Sequence, residues 1–181
     1  AVKFYRIALD RSRAQPASKQ AELLERLSME LYLTDQLAEA IKVCSEAITL
    51  RESEGDRESA GADACLLSLY RWYNADRAGA EEQASTAVGL LRDSPEAGRL
   101  ALADATEAYL ACQLSDLEVA RRLLDLATTI AADVSDAEVQ MRLGVIRGSV
   151  ALAAGDISHA ELVDRPGGHY AHLHRLQQGA P

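Results

Sequence analysis

The residue types best suited to chemistry are unevenly spread along this chain. All four histidines, His159, His169, His172 and His174, fall near its end, and His169 and His172 are spaced to share one helical face. A structural zinc site needs four convergent ligands and no cysteine lies nearby, so solvent-exposed side chains are the plain reading and metal binding the competing one. Cys44, Cys65 and Cys112 are odd in number, sit in apolar stretches and form no C-x-x-C motif. That is the pattern of buried free thiols in a reducing, cytoplasmic setting. Carboxylates are plentiful, with Glu52, Glu54, Asp56 and Glu58 in one run and Asp133, Asp136 and Glu138 in another. Solvated loops and helix starts explain such runs, whereas acid–base catalysis needs a carboxyl in an enclosed apolar cleft. Only Asp104 and Glu107 stand at phases otherwise filled by core residues, and a polar contact or a shifted helix accounts for them better than catalysis does. No catalytic residue, metal site or cofactor is expected.

Charge narrows the partners. Twenty-eight acids against 19 lysines and arginines leave a formal net charge of −9. A nucleic-acid surface requires clustered Lys and Arg against phosphate, so direct nucleic-acid binding is not expected. No stretch reaches the ~18 apolar residues of a membrane span. Aromatics make up only 4% of the chain while Ala and Leu dominate, which favours close-packed helices over strand cores.

A repeat of forty residues organises those helices. Ala40, Ala80 and Ala120 recur at one phase and Ala47, Ala87 and Ala127 at another, with a further copy opening at Ile157 and Ala160. Antiparallel helices approach closely only where a small side chain faces the partner, so Ala at fixed phase marks a helix–helix crossing. Apolar residues at 37, 40, 41, 44 and 48 follow the spacing of one helix face. Asp76, Asp116 and Asp156 share a phase just ahead of each second helix, where a side-chain oxygen can cap free N–H groups, and Asp35 lies one residue off it. Ser94, Pro95 and Glu96 read as an N-cap followed by a first turn, and Ser135 with Glu138 has capping-box spacing. The expected domain covers 1–163: a lone helix at 1–13 and helix pairs at 17–53, 58–92, 95–132 and 136–163. Pro166, Gly167 and Gly168 then stop the helix, leaving 164–181 as a tail or short helix. The opening helix repeats the second-helix pattern at a spacing of 39 without a partner before it, and the first residue is Ala1 rather than Met. An excised fragment of a longer protein is expected.

Leu27-Ser28, Leu31, Leu37, Ala40, Cys44 and Ala47-Ile48 resemble the tetratricopeptide pattern, as do Gly148, Ala151, Gly155, Ile157 and Ala160. The resemblance implies an all-α, right-handed α-solenoid of antiparallel helix pairs. The forty-residue period and the run from Ala21 to Ala40 look like the superhelical region of MalT/LuxR-type ATP-dependent bacterial transcription regulators. The segment from His159 to Gln177 resembles the extreme C-terminus of an ABC exporter ATPase, but it contains none of the nucleotide-binding motifs. Neither a phosphate-loop motif nor a basic recognition helix is present, so ATP or DNA chemistry of such a parent lies elsewhere.

In arrays of this kind the first helices line a concave groove. Met29, Leu69 and Tyr109 share one groove-facing phase, Tyr32, Trp72, Cys112 and Leu152 another, and Tyr73 is adjacent. They pack between repeats, or else they form an apolar, partly aromatic cradle. The functional expectation is a non-catalytic scaffold for a protein or peptide segment, which could be another domain of the parent protein. A small-molecule effector sensor and a purely structural spacer are the alternatives.

Overall fold

The computed structural model describes residues 1–12 and 14–156. Over these residues the chain is all-α, with eight helices and no strand: α1 (Val2–Arg11), α2 (Ala17–Leu33), α3 (Leu37–Ser53), α4 (Arg57–Tyr73), α5 (Arg77–Leu91), α6 (Ala97–Gln113), α7 (Leu117–Ile130) and α8 (Ala137–Ala153). None of these helices is long and apolar enough to cross a membrane. The second helix expected after Asp156, the four histidines, the Pro166 stop and the tail at 164–181 lie outside the described residues.

Links of three residues fold α2 back on α3, α4 on α5 and α6 on α7. Each link contains one residue in the left-handed backbone region, at Asp35 (φ 60°), Ala75 (φ 60°) and Ser115 (φ 64°), and Gly155 (φ 77°) repeats it after α8. The geometry is a Schellman turn: the N–H of Gln36, Asp76, Asp116 and Asp156 donates to the carbonyl five residues back, on Leu31, Arg71, Ala111 and Ala151. Two of the expected caps form, with Asp76 accepting from the Gly79 N–H and Asp116 from the Val119 N–H. Asp35 is off phase because it is itself the left-handed residue, and Gln36, at the N-cap of α3, makes no side-chain cap bond.

Two other starts differ from expectation. Asp136, not Ser135, caps α8, accepting from the N–H groups of Glu138 and Val139. Ser94 does not cap α6, which begins at Ala97; its hydroxyl accepts the Glu96 N–H and donates to Glu58. At α8 the side chain one residue closer to the helix reaches the first free N–H groups, whereas at α6 the N-cap residue Glu96 makes no side-chain cap bond.

The small residues sit where helices meet. Ala40, Ala47, Ala80, Ala87, Ala120 and Ala127 are all fully buried. Gly61 permits the closest approach, since a Cβ there would lie 2.6 Å from Cγ of Leu91, which is itself fully buried on α5. Besides packing on its chain neighbours, α6 touches α4 and α8. Alternate helices therefore share a surface.

Candidate functional site

Tyr32 on α2 stacks on Tyr70 of α4, with ring centroids 5.0 Å apart, and leans on Tyr73 at 5.8 Å. The hydroxyl of Tyr73 lies 3.2 Å from that of Tyr109 on α6. Three of the sequence-predicted residues, Tyr32, Tyr73 and Tyr109, thus form one row across alternate helices, completed by the buried Tyr70. Burial pushes the Tyr70 and Tyr73 phenols up from their ordinary value, with the neighbouring Tyr109 adding to the rise at Tyr73. They are neutral hydrogen-bonding rings. Trp72 stands apart and packs with Tyr109 on Ala80, Ala84 and Leu110. Leu69 is half-buried, Cys112 is buried beside Ala108 and Leu124, and Leu152 is exposed.

A cavity of about 660 Å³ is lined by none of these tyrosines. Its wall comes from Glu25 and Met29 of α2, Ala62, Asp63 and Leu66 of α4, Pro95 to Arg99 and Leu102 around the start of α6, and Glu138, Val139 and Arg142 of α8. Among the sequence-predicted groove residues, Met29 lines this cavity, while Tyr32, Leu69, Trp72, Tyr73, Tyr109, Cys112 and Leu152 do not. Gly98 helps to shape it, because a Cβ there would come within 3.1 Å of Val139 and 3.3 Å of Val134.

One buried guanidinium anchors the cavity floor. Arg51, from the last turn of α3, donates Nε to Asp63 Oδ2 at 2.6 Å, Nη1 to Asp56 at 3.3 Å and Nη2 to Glu25. Three carboxylates share one positive charge. Burial pushes the Asp63 carboxyl up to about 7; Arg51 pulls it down, while the Glu25 and Asp56 charges push it further up. The other two arginines on the wall are also engaged, Arg99 with Glu96 at 2.7 Å and Arg142 with Glu138 at 3.9 Å. Chemically, the cavity offers apolar contact through Met29, Leu66, Leu102 and Val139, and acceptors through its carboxylates.

Sequence reasoning missed Arg51, Asp63 and Glu25, although a signal was present. Arg51 holds the phase of the buried Leu91 and Ala131, and Asp63 that of the buried Ala103 and Leu143. A charge at a core phase is the sign that singled out Asp104 and Glu107. Of those two, Asp104 is buried and Glu107 half-buried. Burial raises both carboxyls, opposed at Asp104 by the Arg92 charge and reinforced at Glu107 by Asp104. Neither lines the cavity.

With this geometry in hand, comparison with known proteins bears on the fold. The structure is similar to the crystal structure of BtubC (BKLC) from P. vanneervenii, with a TM-score of 0.70 and 18% sequence identity, over 99% of this chain and 74% of that one. No family model matches the sequence, and a search of curated proteins finds no relative. At 18% identity the likeness concerns the path of the helices and not what they bind.

Proposed function

We propose that this chain is a non-catalytic interaction scaffold, a tetratricopeptide-like right-handed stack of helix pairs whose groove holds an extended or helical segment of another protein. The observation that carries this reading is the cavity of about 660 Å³ whose wall is drawn from α2, α4, α6 and α8. Support for the stack comes from the left-handed turn residue recurring every forty residues at positions 35, 75, 115 and 155, with Gly55 a further one between α3 and α4. Met29 is 42% exposed on the cavity wall, and an adaptable thioether at a surface suits a groove that accepts a side chain. In a MalT/LuxR-type regulator, the parent suggested by the sequence resemblance, the bound segment belongs to a partner or to the parent's own ATPase domain.

Selection from a phage-displayed library of random 15-residue peptides tests the scaffold. The expected result is enrichment of peptides that bind the wild-type chain and lose binding to a Met29→Arg variant shown to be folded by circular dichroism. Failure to enrich, or binding indifferent to Met29→Arg, would overturn the groove. The volume also lies within the range of small-ligand pockets, about 300–1,000 Å³, which favours an effector sensor as the second reading. Saturable binding of a small metabolite, abolished by Met29→Arg, in a chain that selects no peptide would establish that alternative.

A further inference from the structure

The groove has a charge preference that its arginines conceal. Arg51, Arg99 and Arg142 each point a guanidinium at a carboxylate, and Arg51 is contacted by three. Besides Asp63, whose carboxyl burial pushes up to about 7, the acids Glu25, Glu96, Asp136 and Glu138 line the same cavity, one more than the arginines. The starts of α6 and α8 also open on it, and a free helix start attracts anions. Here both starts already have an acid beside them: Asp136 accepts two N–H groups of α8, and Glu96, at the N-cap of α6 without a side-chain cap bond, pairs with Arg99. An incoming carboxylate or phosphate would find no unpaired guanidinium. An incoming ammonium or guanidinium would find an anion surplus in a partly desolvated recess, where charge pairing is worth more than on open surface.

Resting on the scaffold reading, we infer that the groove's occupant is a basic segment with apolar anchors. Lys or Arg side chains of the segment meet Glu96 and Glu138 at the rim and the carboxylates around Arg51 at the floor, while apolar side chains lie on Met29, Leu66 and Leu102. Glu96 and Glu138 are exposed, so the rim is accessible. The floor charges are already bonded to one another, with Arg51 and Asp63 buried and Glu25 and Asp56 half-buried, so they set the sign of the field and the rim sets the register.

Three fluorescein-labelled 15-residue peptides with the same leucine spacing, carrying Lys, Glu or Ser at the polar positions, provide the test by fluorescence anisotropy. The Lys peptide should bind about tenfold tighter than the Glu peptide, with the difference shrinking as salt is raised. Glu96→Gln/Glu138→Gln should weaken Lys-peptide binding about fivefold. Glu46→Gln/Glu82→Gln, an equal charge change on exposed positions of α3 and α5 away from the cavity, should leave it unchanged. Equal losses from both double variants would reduce the effect to overall charge attraction and overturn the proposal. Preference for the Ser or Glu peptide, abolished by Met29→Arg, would overturn the basic occupant while leaving the scaffold standing. Binding of no peptide at all would remove both.

Discussion

Arg51 Nε lies 2.6 Å from Asp63 Oδ2, tying α3 to α4 through side chains that are 8% and 1% exposed. Removing Arg51 strands Asp63 as a buried carboxyl without its cation, at a cost of about 3–5 kcal/mol, whereas removing Asp63 leaves Arg51 bonded to Asp56 and Glu25. Arg51→Met should lower urea-unfolding stability at pH 8 by that order, and Asp63→Leu by less. The double substitution should recover most of the loss, because an apolar pair of similar volume needs no desolvated charge. Additive losses in the cycle would show that the two side chains act independently.

The same carboxyl sets a pH dependence. Its folded value of about 7 exceeds the ordinary 3.8, so the folded state holds the proton more tightly than the unfolded one does. The contribution of Asp63 to stability is then fullest below the ordinary value and is lost as pH rises through about 7. Asp104, raised by burial against the pull of Arg92, has the same sign. Melting temperatures measured from pH 5 to pH 8 should fall in wild type and fall less in Asp63→Asn. At pH 8, Asp104→Asn should stabilise by about 1 kcal/mol, an advantage that fades toward pH 4. A steeper decline in Asp63→Asn than in wild type would contradict the assignment.

Gly61 and Gly89 give opposite outcomes for the same substitution. At Gly61 a new methyl would press on Leu91, which is fully buried and has nowhere to move. Overpacking of about 1–3 kcal/mol should exceed the helix-propensity gain of about 1 kcal/mol from Ala, giving net destabilisation. Nothing lies within 4 Å of a Cβ at Gly89. There Gly89→Ala should stabilise by about 0.5–1 kcal/mol in chemical denaturation.

Ala75 holds φ 60° at the turn joining α4 to α5. An L side chain in that region costs about 1–2 kcal/mol, only partly offset by the greater unfolded-state freedom of Gly. Ala75→Gly should therefore raise stability by about 0.5–1 kcal/mol, whereas a proline at this position should unfold the turn. A drop in melting temperature for Ala75→Gly would mean that the methyl group makes a contact worth more than the strain.

Features decided by neighbours along the chain were legible before the fold was known. The forty-residue return of Ala40, Ala80 and Ala120, all fully buried, follows from helix spacing and the need for small side chains at crossings. Asp76 and Asp116 cap α5 and α7 because capping reaches only three residues. The cap at Asp136 escaped because Ser135 offers the same chemistry one residue earlier, and only the backbone path selects between them.

The sequence alone determined that this is a helical chain, where its turns fall and which small residues let the helices touch, since each of these follows from forces acting within a turn or two. Only the tertiary structure decided which charges meet. Glu25, Arg51 and Asp63 come from three helices, and their pairing depends on how those helices pack rather than on any spacing along the chain. Tyr32, Tyr70, Tyr73 and Tyr109 were drawn into a row and Trp72 out of it by rotations of about 100° per residue, within which a one-residue shift moves a ring to another face. The cavity exists because four alternate helices expose one side in common, a surface that no single segment contains.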